Sequence, residues 1–317
     1  MKRIRLYFLI GQTASGKNAA AFALAQKIGA EIISLDSMKV YRGMDIGTAK
    51  PSAEQRLAVP HHMISVADPH GHFSAALYVE GAERAIGEIT SRGAVPLFAG
   101  GTALYLKAVT EGLFEGPAAD AGFRARLRAE AAERGPEHLH RRLAEADPAA
   151  AERIHPNDFR RIERALEVYE KSGRPISELQ EQFGRPNEKY DAVVMGLRRE
   201  KADLHERIGR RADAMIAAGL LDEVRRLASA PAPLGKEASQ SLGYKEMLAH
   251  LNGECSLDEA VELLKLHTRQ FAKAQMTWFK RMDNIEWFDV APGEPADHVA
   301  ERLAAFVRQL TSRKCGS

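Results

Sequence analysis

Ile4-Arg5-Leu6-Tyr7-Phe8-Leu9-Ile10-Gly11-Gln12-Thr13-Ala14-Ser15-Gly16-Lys17-Asn18 is the stretch on which the fold turns. Residues 4–10 form an apolar run of strand length that stops at Gly11, and an alanine-rich helical pattern follows from Lys17 to Ile28. Between them, Gly11 to Lys17 matches Gly-x4-Gly-Lys, the P-loop pattern, in the strand-to-helix setting it requires. Its glycines let backbone N–H groups turn onto an oxyanion, the helix start adds a positive dipole end, and Lys17 adds a point charge. Gly11, Thr13, Ala14, Ser15, Gly16, Lys17 and Asn18 are the expected diphosphate contacts, the alternative being a Gly-Ser turn with no ligand. A P-loop normally follows its lysine with Ser or Thr to ligate Mg2+. Here the residue is Asn18, so Mg2+ is the expected cofactor but its usual arrangement is altered.

Working outward, Gly29 ends the helix and residues 31–35 read as a second strand. Apolar runs at His62–Val66 and Ala94–Ala99 read as further strands, with a helix over 75–91 between them. Strand and helix alternating at this spacing predict an α/β fold: a P-loop NTPase-like parallel sheet flanked by helices. From about Pro117 to Asn187 the strand signals vanish and Ala, Arg and Glu dominate. Val193–Leu197 then reads as one more strand, so the helical block is an all-helical insertion. The expected division is residues 1–117 with 188–317 as the α/β core and its C-terminal helices, and 118–187 as the insertion. Residues 200–310 read as mostly helical, and Thr311 to Ser317 as frayed.

The chain has 317 residues and a net charge of 45 − 43 = +2. With 45% hydrophobic and 28% charged residues it is neither disordered nor fibrous, and a uniformly basic nucleic-acid binder is excluded. Any grip on RNA must come from local patches. Two cysteines, Cys255 and Cys315, rule out a disulfide framework and fit a reducing compartment. The apolar run Leu6 to Ile10 is shorter than the roughly 7–15 residues of a signal core or the about 20 of a membrane span, so a cytoplasmic protein is expected.

A motor ATPase or GTPase would carry a metal-binding acid at the end of a second strand. The run Ala94–Ala99 ends instead in Gly100-Gly101-Thr102. The one strand leading straight into an acid is Ile32–Leu35, which gives Asp36 at the C-terminal edge of the sheet, on the crevice the P-loop faces.

With these residues assembled, the chain resembles the tRNA dimethylallyltransferase (tRNA isopentenyltransferase) family. Beyond the P-loop, the resemblance is carried by Ile33 to Pro51 (ISLDSMKVYRGMDIGTAKP), Val59-Pro60-His61-His62, Gly100 to Tyr105 (GGTALY) and His155-Pro156-Asn157-Asp158. It continues through Arg164-Ala165-Leu166-Glu167, Leu242 to Glu246 (LGYKE), Thr268-Arg269-Gln270 and Thr277-Trp278-Phe279. These blocks run in order from about residue 6 to 288. The resemblance implies transfer of a dimethylallyl group from dimethylallyl diphosphate to N6 of the adenine 3′ to the anticodon, in tRNAs that read codons starting with U. The P-loop would hold the donor's diphosphate.

It also implies Asp36 as the base that takes a proton from the adenine amine. Its competing roles are to hold Mg2+ through a bound water, or to cap a helix together with Ser37. Thr102 is implied as a site residue, with an N-cap as alternative. Arg207 and Arg211 share a face of a helix over 202–218. Arg211 is the favoured diphosphate clamp, the alternative being a solvated face paired with Glu206 and Asp203. Contact with tRNA is implied at Asp36, Ser37, Met38, Lys39, Thr102, Arg124, Arg160, Arg161, Arg164, Gly243, Tyr244, Lys245, Arg269 and Lys273.

On the helix after Pro156, Ile162, Ala165, Leu166 and Tyr169 form a core stripe, with Arg160 and Arg164 on the opposite side. The insertion holds 13 Lys+Arg against 13 Asp+Glu, so it is expected to position RNA more than to supply affinity. Arg269, Lys273 and Lys280 make a basic stripe with His267 and Arg281 nearby, and Phe271, Trp278 and Phe279 are expected in the core. The family's usual basic residue beside Lys273 is Ala274 here. Tyr244 is either a stacking ring or buried, and His61 and His62 are either buried or in the site. The expected partners are tRNA and dimethylallyl diphosphate, acting on a monomer. A metabolite kinase, an adenylate isopentenyltransferase and a phosphate-binding RNA chaperone remain the competing readings.

Overall fold

A computed structural model describes residues 3–114, 116–180 and 187–314. Tyr7 and Leu9 of β1 (Ile4–Gly11) enter one apolar cluster while Leu6, Phe8 and Ile10 enter another, so the unbroken apolar run reflects burial on both faces. β2 (Ala30–Leu35), β3 (His61–His62), β4 (Val95–Gly100), β5 (Tyr190–Arg198) and β6 (Ile285–Asp289) complete the sheet. The order is β3-β2-β4-β1-β5-β6 and every pairing is parallel. Ile10 and Leu35 both pair with Gly100, which sets the C-terminal ends of β1, β2 and β4 side by side on one edge.

Two units divide the chain: Met1–Thr110 with Glu188–Ser317, and Glu111–Asn187. In the first, α1 (Lys17–Ile28), α2 (Ala53–Ala58), α3 (Ala75–Ser91) and α4 (Ala103–Glu111) precede the second unit in sequence. The second unit comprises α5 (Ala121–Arg134), α6 (Pro136–Ala146), α7 (Pro148–Arg153), α8 (Phe159–Ser172) and α9 (Ile176–Leu179). The first unit resumes with α10 (Lys201–Ala217), α11 (Leu220–Ala228), α12 (Lys236–Ser239), α13 (Tyr244–Leu251), α14 (Leu257–Phe279) and α15 (Ala296–Lys314).

α1 and α15 cover one face of the sheet, and α3 and α4 with Phe279 of α14 cover the other. A third cluster joins Val40, Tyr41 and Met44, from the loop after β2, to Met215, Val224, Tyr244, Met247 and Leu264. The regular structure among the second unit's described residues is all helical, packed around Phe123, Leu127, Leu139, Leu143, Ile162 and Leu166. Among the described residues no helix is long and apolar enough to cross a membrane.

Three local expectations are corrected. The strand expected over His62–Val66 stops at His62 because Met63 and Ser65 take left-handed φ of 59° and 56°, which ends an extended chain. β6, in a stretch read as helical, forms an edge strand beside β5. Thr311 to Lys314 complete α15, while Cys315 to Ser317 lie outside the described residues.

Candidate active site

The loop after β1 closes into a cradle through two left-handed residues, Ala14 at φ 62° and Gly16 at φ 91°, with Ser15 N–H donating to the Gln12 carbonyl at 3.1 Å. Two guanidiniums brace its carbonyls. Arg207 Nε donates to Ala14 O and Arg199 Nε to Ser15 O, each at 2.8 Å. Arg199 is itself buried and locked to Asp203 at 2.8 Å. The alternative of a solvated face with Arg207 paired to Asp203 and Glu206 does not hold: those acids pair with Arg199 and Arg210. The Ser15 hydroxyl is buried with no partner. Gly16, Lys17, Asn18, Arg207 and Arg211 line a cavity of about 420 Å³.

Gln275, on the buried side of α14, ties this loop to the next one. Its Oε1 accepts from Thr13 N–H at 2.8 Å and its Nε2 donates to Gly101 O at 2.9 Å, while Gln12 Nε2 donates to Ala272 O at 2.9 Å. A Cβ at Gly101 would lie 2.2 Å from Gln275 Nε2, so only glycine allows this approach. Thr13 was expected among the diphosphate contacts, but its backbone N–H is already engaged by Gln275.

Asp36 follows β2 directly. Its Oδ1 accepts from Met38 N–H at 2.9 Å and Lys39 N–H at 3.2 Å, which closes a turn over residues 37–40; no helix starts here, so the helix-cap alternative does not hold. Thr102 Oγ1 accepts from Ser37 N–H at 3.2 Å, which joins the β4 and β2 loops. Three cations, Lys17, Lys39 and Arg211, feel the charge of the carboxylate. Burial, then Arg211 and Lys39, push Lys17 down to about 7 against the pull of Asp36. Burial likewise lowers Lys39 and Arg211, with Asp36 opposing in both. Lys17 Nζ donates to the Gln12 carbonyl at 3.1 Å. Arg211 also borders a second cavity of about 540 Å³ beside Asp45, Arg56 and Met215.

The loop after β2 is held by Glu223 of α11, which is 2% exposed. Its carboxylate accepts from the N–H groups of Asp45, Ile46 and Gly47 and from the Tyr244 hydroxyl. Neither Glu223, Arg199 nor Gln275 stood out in the sequence, where each is a polar residue in a helical or strand-end stretch.

Several expected RNA contacts are placed differently. Tyr244 is fully buried with its hydroxyl on Glu223, so its ring has no free face to stack on a base. Lys39 is buried beside Asp36, Lys245 is half-buried, and Gly243 N–H donates to Glu246. Arg124 and Arg164 both bind Glu167, a carboxylate with no exposed surface, so they are structural groups of the second unit. Glu163 is buried too, with Arg128 at 3.2 Å, so this side of α8 carries an internal ion cluster.

Arg160 and Arg161 are exposed, the latter paired to Asp158 at 3.1 Å, and Tyr169 leaves the core stripe at 39% exposure. On α14, Lys273 is exposed and Arg269 half-buried with an unpartnered buried Nε. Lys280 caps the helix end, and His267 is bound to buried Glu246 at 2.7 Å. Phe279 is core, but Phe271 and Trp278 are 45% and 40% exposed. His61 and His62 are half-buried and hydrogen-bonded to Val59 O and Glu31.

Asn18 is exposed in the first turn of α1, and no group of three or more His, Cys, Asp or Glu residues able to hold a metal occurs among the described residues. This donor set fits a Mg2+ ion that takes most of its ligands from a diphosphate and water.

Residues 39–282 match the family model described as IPP transferase. The chain is 50% identical over 293 residues to a tRNA dimethylallyltransferase of Geobacter metallireducens, covering 92% of this chain and 94% of the relative. It is 47% identical to that of Symbiobacterium thermophilum, covering 97% and 96%. A crystal structure of the full-length tRNA isopentenylpyrophosphate transferase from Bacillus halodurans superposes with TM-score 0.73 at 38% identity, covering 99% of each chain. A eukaryotic dimethylallyltransferase captured acting on tRNA superposes with TM-score 0.84 at 28% identity, covering 98% of this chain and 80% of that one.

Proposed function

The chain belongs to the IPP transferase family, the tRNA dimethylallyltransferases, and from that membership we propose how this transferase works. A dimethylallyl group passes from dimethylallyl diphosphate to N6 of the adenine 3′ to the anticodon, in tRNAs reading codons that start with U. The observation that carries the reading is one carboxylate, Asp36, held at Oδ1 by two backbone N–H groups amid Lys17, Lys39 and Arg211, beside a P-loop cavity.

Departure of diphosphate leaves negative charge on the oxygens at the breaking C1–O bond. The P-loop N–H groups, Lys17 and Arg211 are fixed where they offset that charge. The exocyclic amine is a weak nucleophile because its lone pair is delocalised into the ring. As N6 bonds to C1, its proton passes to Asp36 Oδ2, the carboxylate oxygen that the backbone does not engage. Asn18 would be the protein ligand of a Mg2+ ion arriving with the diphosphate, and that ion would supply further charge neutralisation. A stacked loop base reaches this site only if extruded, at a cost of a few kcal/mol recovered through loop contacts. Exposed Lys273, Arg160 and Arg161 are the side chains assigned to the RNA backbone, and the helical unit positions the loop. The reading carries with it a cytoplasmic monomer.

Incubation with labelled dimethylallyl diphosphate and tRNA, AMP or ATP separately tests it. The label should appear on tRNA alone, and Asp36→Ala should cut transfer by about 100- to 10,000-fold with donor and tRNA still bound. Near-wild-type transfer by Asp36→Ala, labelled AMP, or cleavage of ATP overturns the reading.

A further inference from the structure

The inner and outer sides of α14 serve two different tasks. Ala272 and Gln275 are buried against the P-loop, while Lys273 is exposed and Arg269 half-exposed. The Gln275 amide reaches in two directions at once, to Thr13 N–H in the phosphate cradle and to the Gly101 carbonyl. Gly101 adjoins Thr102, whose hydroxyl holds the Ser37 N–H next to Asp36. One side chain therefore connects the diphosphate cradle, the β4 loop and the loop of the general base, and it does so from the helix assigned to RNA. Its orientation is forced, because only Oε1 can face an N–H and only Nε2 can face a carbonyl.

We propose that Gln275 is a positioning residue that couples the two substrates: RNA seated on α14 fixes the helix, and the Gln275 amide passes that restraint to the P-loop, so that acceptor RNA tightens the hold on diphosphate. This rests on the functional reading above and adds to it a named route between the two sites. The coupling is reciprocal, so diphosphate must tighten RNA by the same factor. Two features make this side chain a coupling element instead of plain packing. It contacts backbone groups of both loops, and removing it leaves Thr13 N–H and Gly101 O without their partners while the apolar clusters beneath the sheet stay whole.

The test measures binding of inorganic diphosphate to the full chain by calorimetry, with and without an anticodon stem-loop RNA. The proteins compared are wild type, Gln275→Leu and Gln275→Glu. In wild type, RNA should tighten diphosphate by at least about fivefold, the lower end of usual allosteric coupling. In Gln275→Leu the factor should fall below about twofold, with RNA affinity measured alone within about twofold of wild type. Gln275→Glu, which keeps an acceptor for Thr13 but sets an oxygen against the Gly101 carbonyl, should also lose coupling, and it serves if the leucine variant does not fold. Full wild-type coupling in either folded variant overturns the proposal. So does a wild type that binds both ligands with no mutual enhancement, whereas a wild type that binds neither diphosphate nor RNA overturns the functional reading itself.

Discussion

Replacing Glu223 by alanine removes the carboxylate that three loop amides and a buried phenol share. Tyr244 has no exposed surface, so its hydroxyl would be left without an acceptor in an apolar setting, which costs about 1–3 kcal/mol. The amides of Asp45, Ile46 and Gly47 are nearer solvent, and water replaces part of their loss, for roughly another 1.5–2 kcal/mol. The sum, about 2.5–5 kcal/mol, overlaps the roughly 3–5 kcal/mol that breaking a buried charged pair typically costs. In a chain of this size that lowers the melting temperature by about 8 °C. Both tryptophans, Trp278 and Trp287, belong to the α/β unit, so a fluorescence melt reads this unit alone. Glu223→Gln keeps one acceptor oxygen and should lose about half as much. A Glu223→Ala melt within about 2 °C of wild type would refute the account, because it would mean the network contributes less than a single net hydrogen bond.

Lys17, held down to about 7 by burial, Arg211 and Lys39, lacks a proton above that pH that the unfolded chain keeps up to the ordinary lysine range. Stability should therefore rise with pH through that window. An arriving diphosphate should restore the proton, and calorimetry in two buffers near pH 8.5 should show proton uptake approaching one more in wild type than in Lys17→Met. Equal uptake in the two proteins would rule this out. In the helical unit, burial alone would raise Glu167, but Arg124, Asp120 N–H and Arg164 outweigh it and bring the carboxyl to about 2. Its contribution is present above the ordinary glutamate range and is lost as pH falls toward about 2. Glu167→Gln should destabilise the unit by about 3 kcal/mol near neutrality and flatten its acid dependence, as read by far-ultraviolet circular dichroism at two pH values. Melts superposable on wild type at both would count against the ion cluster.

The P-loop, α1 and the central strands were legible because their signals are local: an apolar run buried on both faces, a glycine at each turn, a lysine in register. β6 was not, since Ile285-Glu286-Trp287-Phe288-Asp289 becomes a strand only through pairing with β5. The side chains that assemble the site were hidden for a related reason. Gln275 lies in a helix whose neighbours Lys273, Ala274 and Thr277 face water, and nothing nearby in sequence marks it as buried. Arg164 was placed outward by helical spacing alone, yet α5 supplies Arg124 and the two close on the same glutamate. Phe271 and Trp278 erred the other way, because aromatic residues were assumed to lie inside.

The two arginines behind the phosphate cradle have an effect on the amides in front of it. Arg199 pulls on the carbonyl of Ser15, which shares its peptide plane with the N–H of Gly16. Arg207 does the same for the plane shared by Ala14 and Ser15, whose N–H is held by the Gln12 carbonyl and so stiffens the turn itself. A cation on the oxygen of a peptide polarises the whole group and makes its N–H a stronger donor. An anion entering the cradle thus meets dipoles already aligned and strengthened from the rear, in a loop with little conformational freedom left to lose.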